Sequence, residues 1–488
     1  MAKKSIKINA ILNAVRLVMG MLFQLITYPY VTRVLQAEYL GKVTYSQSIV
    51  SYFSLIAALG VGTYAVREGS KYRANKERIE QFASEVFTSN IITTLISYLL
   101  LMAVLFAVPK FHTYIPLIAV LSMSIIFTTI GVDWVNVIFE DFLVITVRSI
   151  AIQIINMFLI FLLVKDTSDY YIYAVLTISS SMLICVWNFF YCRKYIHIHI
   201  IRTCNFFKHV KLMVVFFANS LAITVYCNAD STMIGWIIGD SCVGIYAVAV
   251  KVYSIVKGLL ASVYTVCIPR LSNYYSKEDY KSFQSLIEKV ISGLFVISLP
   301  SMVGLIMLAK PIIILLAGAG YESAIVTLRI LSIALIFAVV GGVFSNCVNI
   351  PMGKERVSLL ATIIAAVINV GLNVIVIPIW KHNGAAVTTV IAELSVLVIC
   401  FIYNSEIRKL ISWNKIIKSA VQAIVGSVGV ALACLVVQKN SNSQIVCCVV
   451  SFGLSIIMYF LIMLALNNEL VFDTAYRIRL QIKKMKNR

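Results

Sequence analysis

Six charged side chains stand out inside the long apolar stretches of this chain: Arg16, Lys251 and Lys257 are basic, and Asp133, Asp230 and Glu393 are acidic. An ionised group at the centre of a bilayer costs roughly 2.5–3.5 kcal/mol on insertion scales, so such residues face a partner or a wet cavity. A guanidinium offers a planar fork that matches phosphate oxygens, and an ammonium offers a point charge. Arg16, Lys251 and Lys257 are therefore the candidate contacts for an anionic substrate. Arg16 lies about eight residues into the first apolar run, ~12 Å below its end. From there it can reach an anion or snorkel to the surface. Lys251 and Lys257 are about 120° apart on a helix and can line two edges of one polar face with Ser254 between them. Asp230, Glu393 and Asp133 are the candidate ion-coupling or gating carboxylates, each with static pairing or packing as the alternative. With three charges of each sign, these residues alone do not choose between an anionic and a cationic cargo.

The elements that hold them are transmembrane helices. Of 488 residues, 60% are hydrophobic and 13% charged, with a mean hydropathy of +0.93; soluble domains carry about 25% charged residues. A spanning helix needs ~20 apolar residues. The expected fold is an all-α integral membrane protein of about fourteen spans, at residues 8–32, 43–65, 84–108, 113–139, 145–164, 171–191, 212–238, 242–266, 287–308, 326–349, 357–377, 384–404, 418–437 and 444–466. The runs are continuous, without the alternation of barrel strands. The basic start MAKKSIKIN leads into an apolar run with no small-residue cleavage site, which reads as a retained first span.

Net charge is +20, but the charges sit in short loops, which points to topology and away from nucleic acid. The segments on one side hold most of the 41 Lys and Arg. Eight lie on the other side: Arg33, Lys42, Lys110, Lys165, Lys310, Arg329, Lys381 and Lys439. The positive-inside rule then places both termini on the cytoplasmic side of the membrane. Eleven cysteines show no CxxC or Cys/His spacing and read as small buried hydrophobes. There is no Walker A, GxSxG or HExxH sequence, so no cofactor or metal is expected, and energy would come from a coupling ion, H⁺ or Na⁺, or from the substrate gradient.

The chain also repeats itself. IINMFLIFLLV at 154–164 aligns with VINVGLNVIVI at 367–377, setting Asn156 against Asn369, and AEYLG at 37–41 aligns with DSCVG at 240–244. A six-helix unit used twice is the frame of many secondary transporters, with a site between the halves. The expected division is a first lobe at 1–204, a second at 205–411, and two further helices with a basic tail at 412–488.

Four stretches carry a family resemblance: YPYVTRVLQAEYLGKVTYSQSIV at 28–50, EDFLVITVRSI at 140–150, DSTMIGWIIGDSCVGIYAVAVKV at 230–252, and PMGKERVSLLATIIAAVINVGLNVIVIP at 351–378 with GAAVTTVIAEL at 384–394. In this order they resemble the polysaccharide-biosynthesis proteins, the Wzx-type lipid-linked oligosaccharide flippases of the multidrug/oligosaccharidyl-lipid/polysaccharide exporter superfamily. The resemblance implies a MATE-like fold of two six-helix lobes plus two C-terminal helices. It implies transport, not enzymatic turnover, of undecaprenyl-diphosphate-linked oligosaccharide to the external leaflet for O-antigen, capsule or exopolysaccharide. A polysaccharide polymerase and a chain-length regulator are the protein partners it implies. A drug or cation antiporter of the same superfamily is the alternative within transport. A membrane-embedded glycan polymerase is the alternative of another class, disfavoured by the short external connectors.

Overall fold

In a computed structural model the regular structure of the described residues, which are 6–201 and 206–472, is all helical. The first residues, the 204/205 lobe boundary and the basic tail at 477–488 lie outside them. The chain forms two compact units, Met1–Gly244 and Ile245–Arg488.

The first unit opens with α1 (Ile6–Ala58), whose 53 residues would measure ~80 Å as one rod. That is more than twice the ~30 Å of hydrocarbon, so α1 has to hold two spans. It is interrupted at Gln36, whose φ of 57° and ψ of 177° are not helical. The loop expected between residues 32 and 43 is thus compressed to a one-residue break. The second span, expected to run to 65, stops at Ala58, because Leu59 and Gly60 both take positive φ. Next come α2 (Val61–Tyr72), α3 (Lys76–Ala107), α4 (Ile115–Gly131), the short α5 (Trp134–Ile138), α6 (Phe142–Leu163), α7 (Tyr170–Tyr191) and α8 (Phe206–Ile237). Asn75 caps α3 by accepting from the Arg78 amide at 3.1 Å. The α2, α3 and α5 ends share a core of Tyr64, Phe82, Trp134, Ile138 and Met213. Within this unit α8 packs on α1, α2 and α3, and α4 on α7.

α9 (Asp240–Ser276) carries the chain into the second unit, followed by α10 (Tyr280–Met307), α11 (Ala309–Ala317), α12 (Ala324–Gly342), α13 (Glu355–Tyr403), α14 (Ser405–Leu410), α15 (Trp413–Asn440) and α16 (Gln444–Ala465). α12 ends in a π-helical stretch, Val343–Asn349, a distortion often found at functional positions. α13, 49 residues long, again holds two spans, broken at Lys381 with φ 51°. The chain folds back there, since Thr388 bonds both Asn373, at 2.5 Å, and Asn369. α15 packs on α10 and α16, and Gln422 ties them by donating to the Leu466 carbonyl while accepting from Asn468.

Eleven helical stretches among the described residues are long and apolar enough to cross a membrane. Two of these, in α1 and α13, have room for two crossings each, so the helical membrane fold stands and the expected count of spans is compatible with it. Outward-facing aliphatic and aromatic side chains such as Leu99, Phe158 and Val449 are exposed, as lipid-facing positions require.

Candidate functional site

Two helix ends in the first unit create the site. Where α1 stops, its last carbonyls lose their intrahelical partners. α3 supplies replacements: Asn90 Nδ2 and Thr93 Oγ1 donate to the Ala57 carbonyl at 2.8 and 2.7 Å. Where α4 stops, Val132 takes a left-handed φ of 40°, and Asn188 of α7 donates to the Gly131 carbonyl at 2.7 Å. Between these capped ends lies a cavity of about 370 Å³ lined by Arg16, Ala58, Asn90, Thr128, Asp133 and Trp134, among others.

Arg16 reaches this cavity from α1. One of its terminal nitrogens donates to Asn13 Oδ1 at 3.0 Å, while its buried Nε has no hydrogen-bond partner. A guanidinium with spare donors on a cavity wall is chemically suited to a phosphate. Asp133 stands on the same wall with its side chain 55% exposed. Its Oδ1 accepts from Arg148 Nη2 at 2.9 Å and from Asn188 Nδ2. Asn188 Oδ1 in turn accepts from Asn136 at 2.9 Å and from Arg148. Arg148, with 2% of its side chain exposed, is an intramembrane charge that the sequence analysis did not single out. It lies inside the span read at 145–164, so the same criterion that selects Arg16 applies to it.

A second cavity of about 570 Å³ adjoins the first, sharing Ala58 and Thr128. Its wall includes Gln47, Ser51, Ser124, Thr177, Thr224 and Asn228. Asp230 lies just beyond on α8, 6% exposed. Near it Thr232 Oγ1 bonds Ser48 and Tyr52 at 2.9 and 3.1 Å.

The second unit unites two residues that the sequence left separate. Lys257 Nζ donates to Glu393 Oε1, and Tyr253 OH donates to the same oxygen at 3.1 Å. Glu393 is 7% and Lys257 35% exposed at the side chain. Tyr246, Tyr253, Lys257 and Tyr264 lie seven, four and seven residues apart, on one helix face. Tyr246 meets Thr389 at 3.3 Å and Tyr264 the Val339 carbonyl at 2.5 Å. Lys251 is half-buried on α9. Lys251 belongs to the second unit and Asp230 to the first.

A buried histidine on α8 adds a further polar contact. His209, 3% exposed, contacts Glu85 Oε2 through Nε2 at 2.7 Å and Tyr64 OH through Nδ1 at 2.8 Å.

With this geometry in place, similarity to known proteins is informative. Solved structures share the fold. One described as "Lipid II flippase MurJ, inward closed conformation" aligns with a TM-score of 0.75 at 18% identity, over 94% of this chain and all of that one. An inward-facing multidrug resistance MATE family transporter of the MOP superfamily aligns with a TM-score of 0.63 at 16% identity, over 81% of this chain and 98% of that one. Two relatives, each named "Putative O-antigen transporter", come from Escherichia coli (strain K12) and Shigella dysenteriae. The first is 24% identical over 339 residues, 68% of this chain and 80% of the relative. The second is 24% identical over 340 residues, 69% of this chain and 84% of the relative. The MatE family model matches residues 216–375.

The fold and these relatives define a multi-pass helical membrane transporter, not an enzyme. The model described as "Polysaccharide biosynthesis protein" matches residues 6–275, more than half of the chain. The chain belongs to that family, as the motifs at 28–50, 140–150 and 230–252 suggested.

Proposed function

We propose that this protein is a flippase that carries undecaprenyl-diphosphate-linked oligosaccharide repeat units from the cytoplasmic to the external leaflet for surface polysaccharide assembly. The observation that carries the reading is Arg16, a guanidinium on the wall of a cavity inside an apolar helical unit, with a buried donor left unpartnered. The diphosphate would dock at Arg16, with Lys251 and Lys257 as further contacts and the polyprenyl tail in lipid. Lys257 is held by Glu393, so a phosphate arriving there would compete with a carboxylate already in place. We assign Glu393, Asp230 and Asp133 to gating or to coupling with H⁺ or Na⁺.

The repeat supports two lobes, 1–204 and 205–411, exchanging access to the site, with 412–488 as an addition. The basic residues clustered in one set of connectors support cytoplasmic termini in a bacterial inner membrane. Family membership supports a polymerase and a chain-length regulator acting downstream.

Arg16→Ala and Lys251→Ala should each lower surface polysaccharide while membrane levels of the protein stay normal, with Arg16→Lys retaining part of the activity. Full polysaccharide in both alanine variants would reject the site. The second reading, a cation or drug antiporter, draws on Asp133 in the same cavity wall and on the match to the MatE model. Deletion of the gene separates the two: loss of surface polysaccharide supports the flippase, and drug sensitivity with normal polysaccharide supports the antiporter.

A further inference from the structure

In the second unit, α10, α15 and α16 share an apolar core that includes Val296, Leu299, Ala423 and Met463. One turn beyond that core, toward the side read as cytoplasmic, the packing gives way to a polar crevice of about 130 Å³. Ser285, Lys289 and Ser292 line it from α10, and Lys415, Lys418 and Gln422 from α15. Spacings of three and four residues put each set on one helix face, so each helix supplies a whole wall. The floor is fixed, because Gln422 bonds the Leu466 carbonyl and the buried Asn468 at the end of α16.

The charges on these walls do not balance. Three lysines meet two carboxylates, Glu288 and Glu469. Glu288 is buried, and its Oε1 already accepts from the Ser412 amide at 2.7 Å and from Gln284 Nε2 at 2.8 Å. Among the described residues no salt bridge holds any of the three lysines. Lys415 and Lys418 lie one turn apart on α15 and repel each other. One monovalent anion seated between α10 and α15 would neutralise the surplus.

The size of the crevice limits what that anion is. It is smaller than the ~300–1,000 Å³ of sites that enclose a small molecule. A phosphate can enter while the rest of its molecule stays outside. Outside is lipid-facing surface: Ile417, Val421 and Ile424 run along α15 beside the lysines, all exposed. A phospholipid has both parts, a phosphate for the lysines and acyl chains for the aliphatic stripe. A zwitterionic lipid would bring a second cation to a wall that already has one too many. Basic pockets between spanning helices on the cytoplasmic side are suited to anionic headgroups.

We propose that this crevice binds the phosphate of an anionic phospholipid of the cytoplasmic leaflet, and that the lipid clasps the α15–α16 pair to α10. The site rests on the orientation read from the basic connectors and is independent of the cargo.

The test uses the full-length protein purified in a neutral detergent. It is titrated with phosphatidylglycerol, with phosphatidylcholine of the same acyl chains, and with inorganic phosphate. Binding is read by native mass spectrometry and by melting temperature. Phosphatidylglycerol should bind and raise the melting temperature, and the other two should do neither at the same concentration. Replacing Lys289, Lys415 and Lys418 together by Gln should weaken phosphatidylglycerol binding at least about tenfold. Without lipid, that variant should melt no lower than the wild type, since the repulsion is gone. Replacing Lys277, Lys281 and Lys409, which are exposed on the same side but outside the crevice, removes the same charge and should leave binding unchanged. Equal loss in both triple variants would reduce the effect to general surface charge and overturn the site. An equal response to phosphatidylcholine would overturn the selection for an anionic headgroup. An equal response to inorganic phosphate would make this a site for a free anion and overturn the lipid. If the first triple variant fails to fold, the three titrations of the wild type decide.

Discussion

At Asp133 one carboxylate oxygen takes hydrogen bonds from Arg148 and Asn188 while half of the side chain faces the cavity. The buried arginine depends on that oxygen for its charge partner. Asp133→Asn should destabilise the protein, by less than the about 3–5 kcal/mol of a fully buried pair broken on one side, because Asp133 is half exposed. Adding Arg148→Met should recover part of that loss, a coupling that thermal unfolding of the two single variants and the double variant in detergent would measure. Additive losses would mean that the pair is energetically independent. Arg16, Lys257 and Glu393 were legible in the sequence because a charge in an apolar run stands out. That Lys257 and Glu393 are one pair was not legible, since 136 residues separate them. Asn188 and Asn90 were invisible for another reason: a neutral amide in a span is common, and only the carbonyls they cap, at Gly131 and Ala57, reveal what they do.

Elements show where hydropathy reads well and where it does not. It located the apolar segments but set a loop of about ten residues between the first two, where the backbone breaks at Gln36 alone. Nothing in glutamine's intrinsic preference marks a left-handed turn, so the position is fixed by packing. The repeated asparagines are better matched. Asn156 meets Ser179 and Ser180 on the next helix at 3.3 Å, and Asn369 meets Thr388 at 3.4 Å across the turn at Lys381. Asn369 is 1% exposed and shares a network with the fully buried Asn373 and Thr388, whereas Asn156 is half-buried. Asn369→Ala should therefore cost about 1 kcal/mol and Asn156→Ala less, read as shifts in the melting temperature. A larger shift for Asn156 would contradict this ranking.

At the scale of the molecule, the exposed surface is apolar because lipid is its solvent, and this was the most secure part of the sequence reading. Ile457, near the middle of α16 and 58% exposed, is a sensitive position. Ile457→Arg should oppose insertion of that helix by about 2.5–3.5 kcal/mol and lower the membrane-integrated fraction, measured with a glycosylation reporter. Unchanged integration would place this face of α16 against water or protein. A close crossing of two backbones is a second sensitive point. A Cβ added at Gly41 would lie 1.8 Å from the Asp240 carbonyl oxygen, and one added at Gly244 would lie 2.0 Å from the Ala37 carbonyl oxygen. Beside this crossing Tyr114 OH bonds both carboxylate oxygens of Asp240 at 2.9 Å. Gly41→Val should force the backbones apart and abolish transport without loss of expression. On a background lacking native cysteines, a cysteine at Ser51 would then be labelled faster. Unaltered labelling and activity would mean that the backbones separate without penalty.

Because each of these two glycines is walled by main chain, no rearrangement of rotamers can make room for a methyl group at either. The stretches AEYLG and DSCVG, about 200 positions apart, are consequently bound to drift together. A hybrid that draws its front from one relative and its back from another would inherit one glycine from each parent. It should transport only where both parents kept theirs.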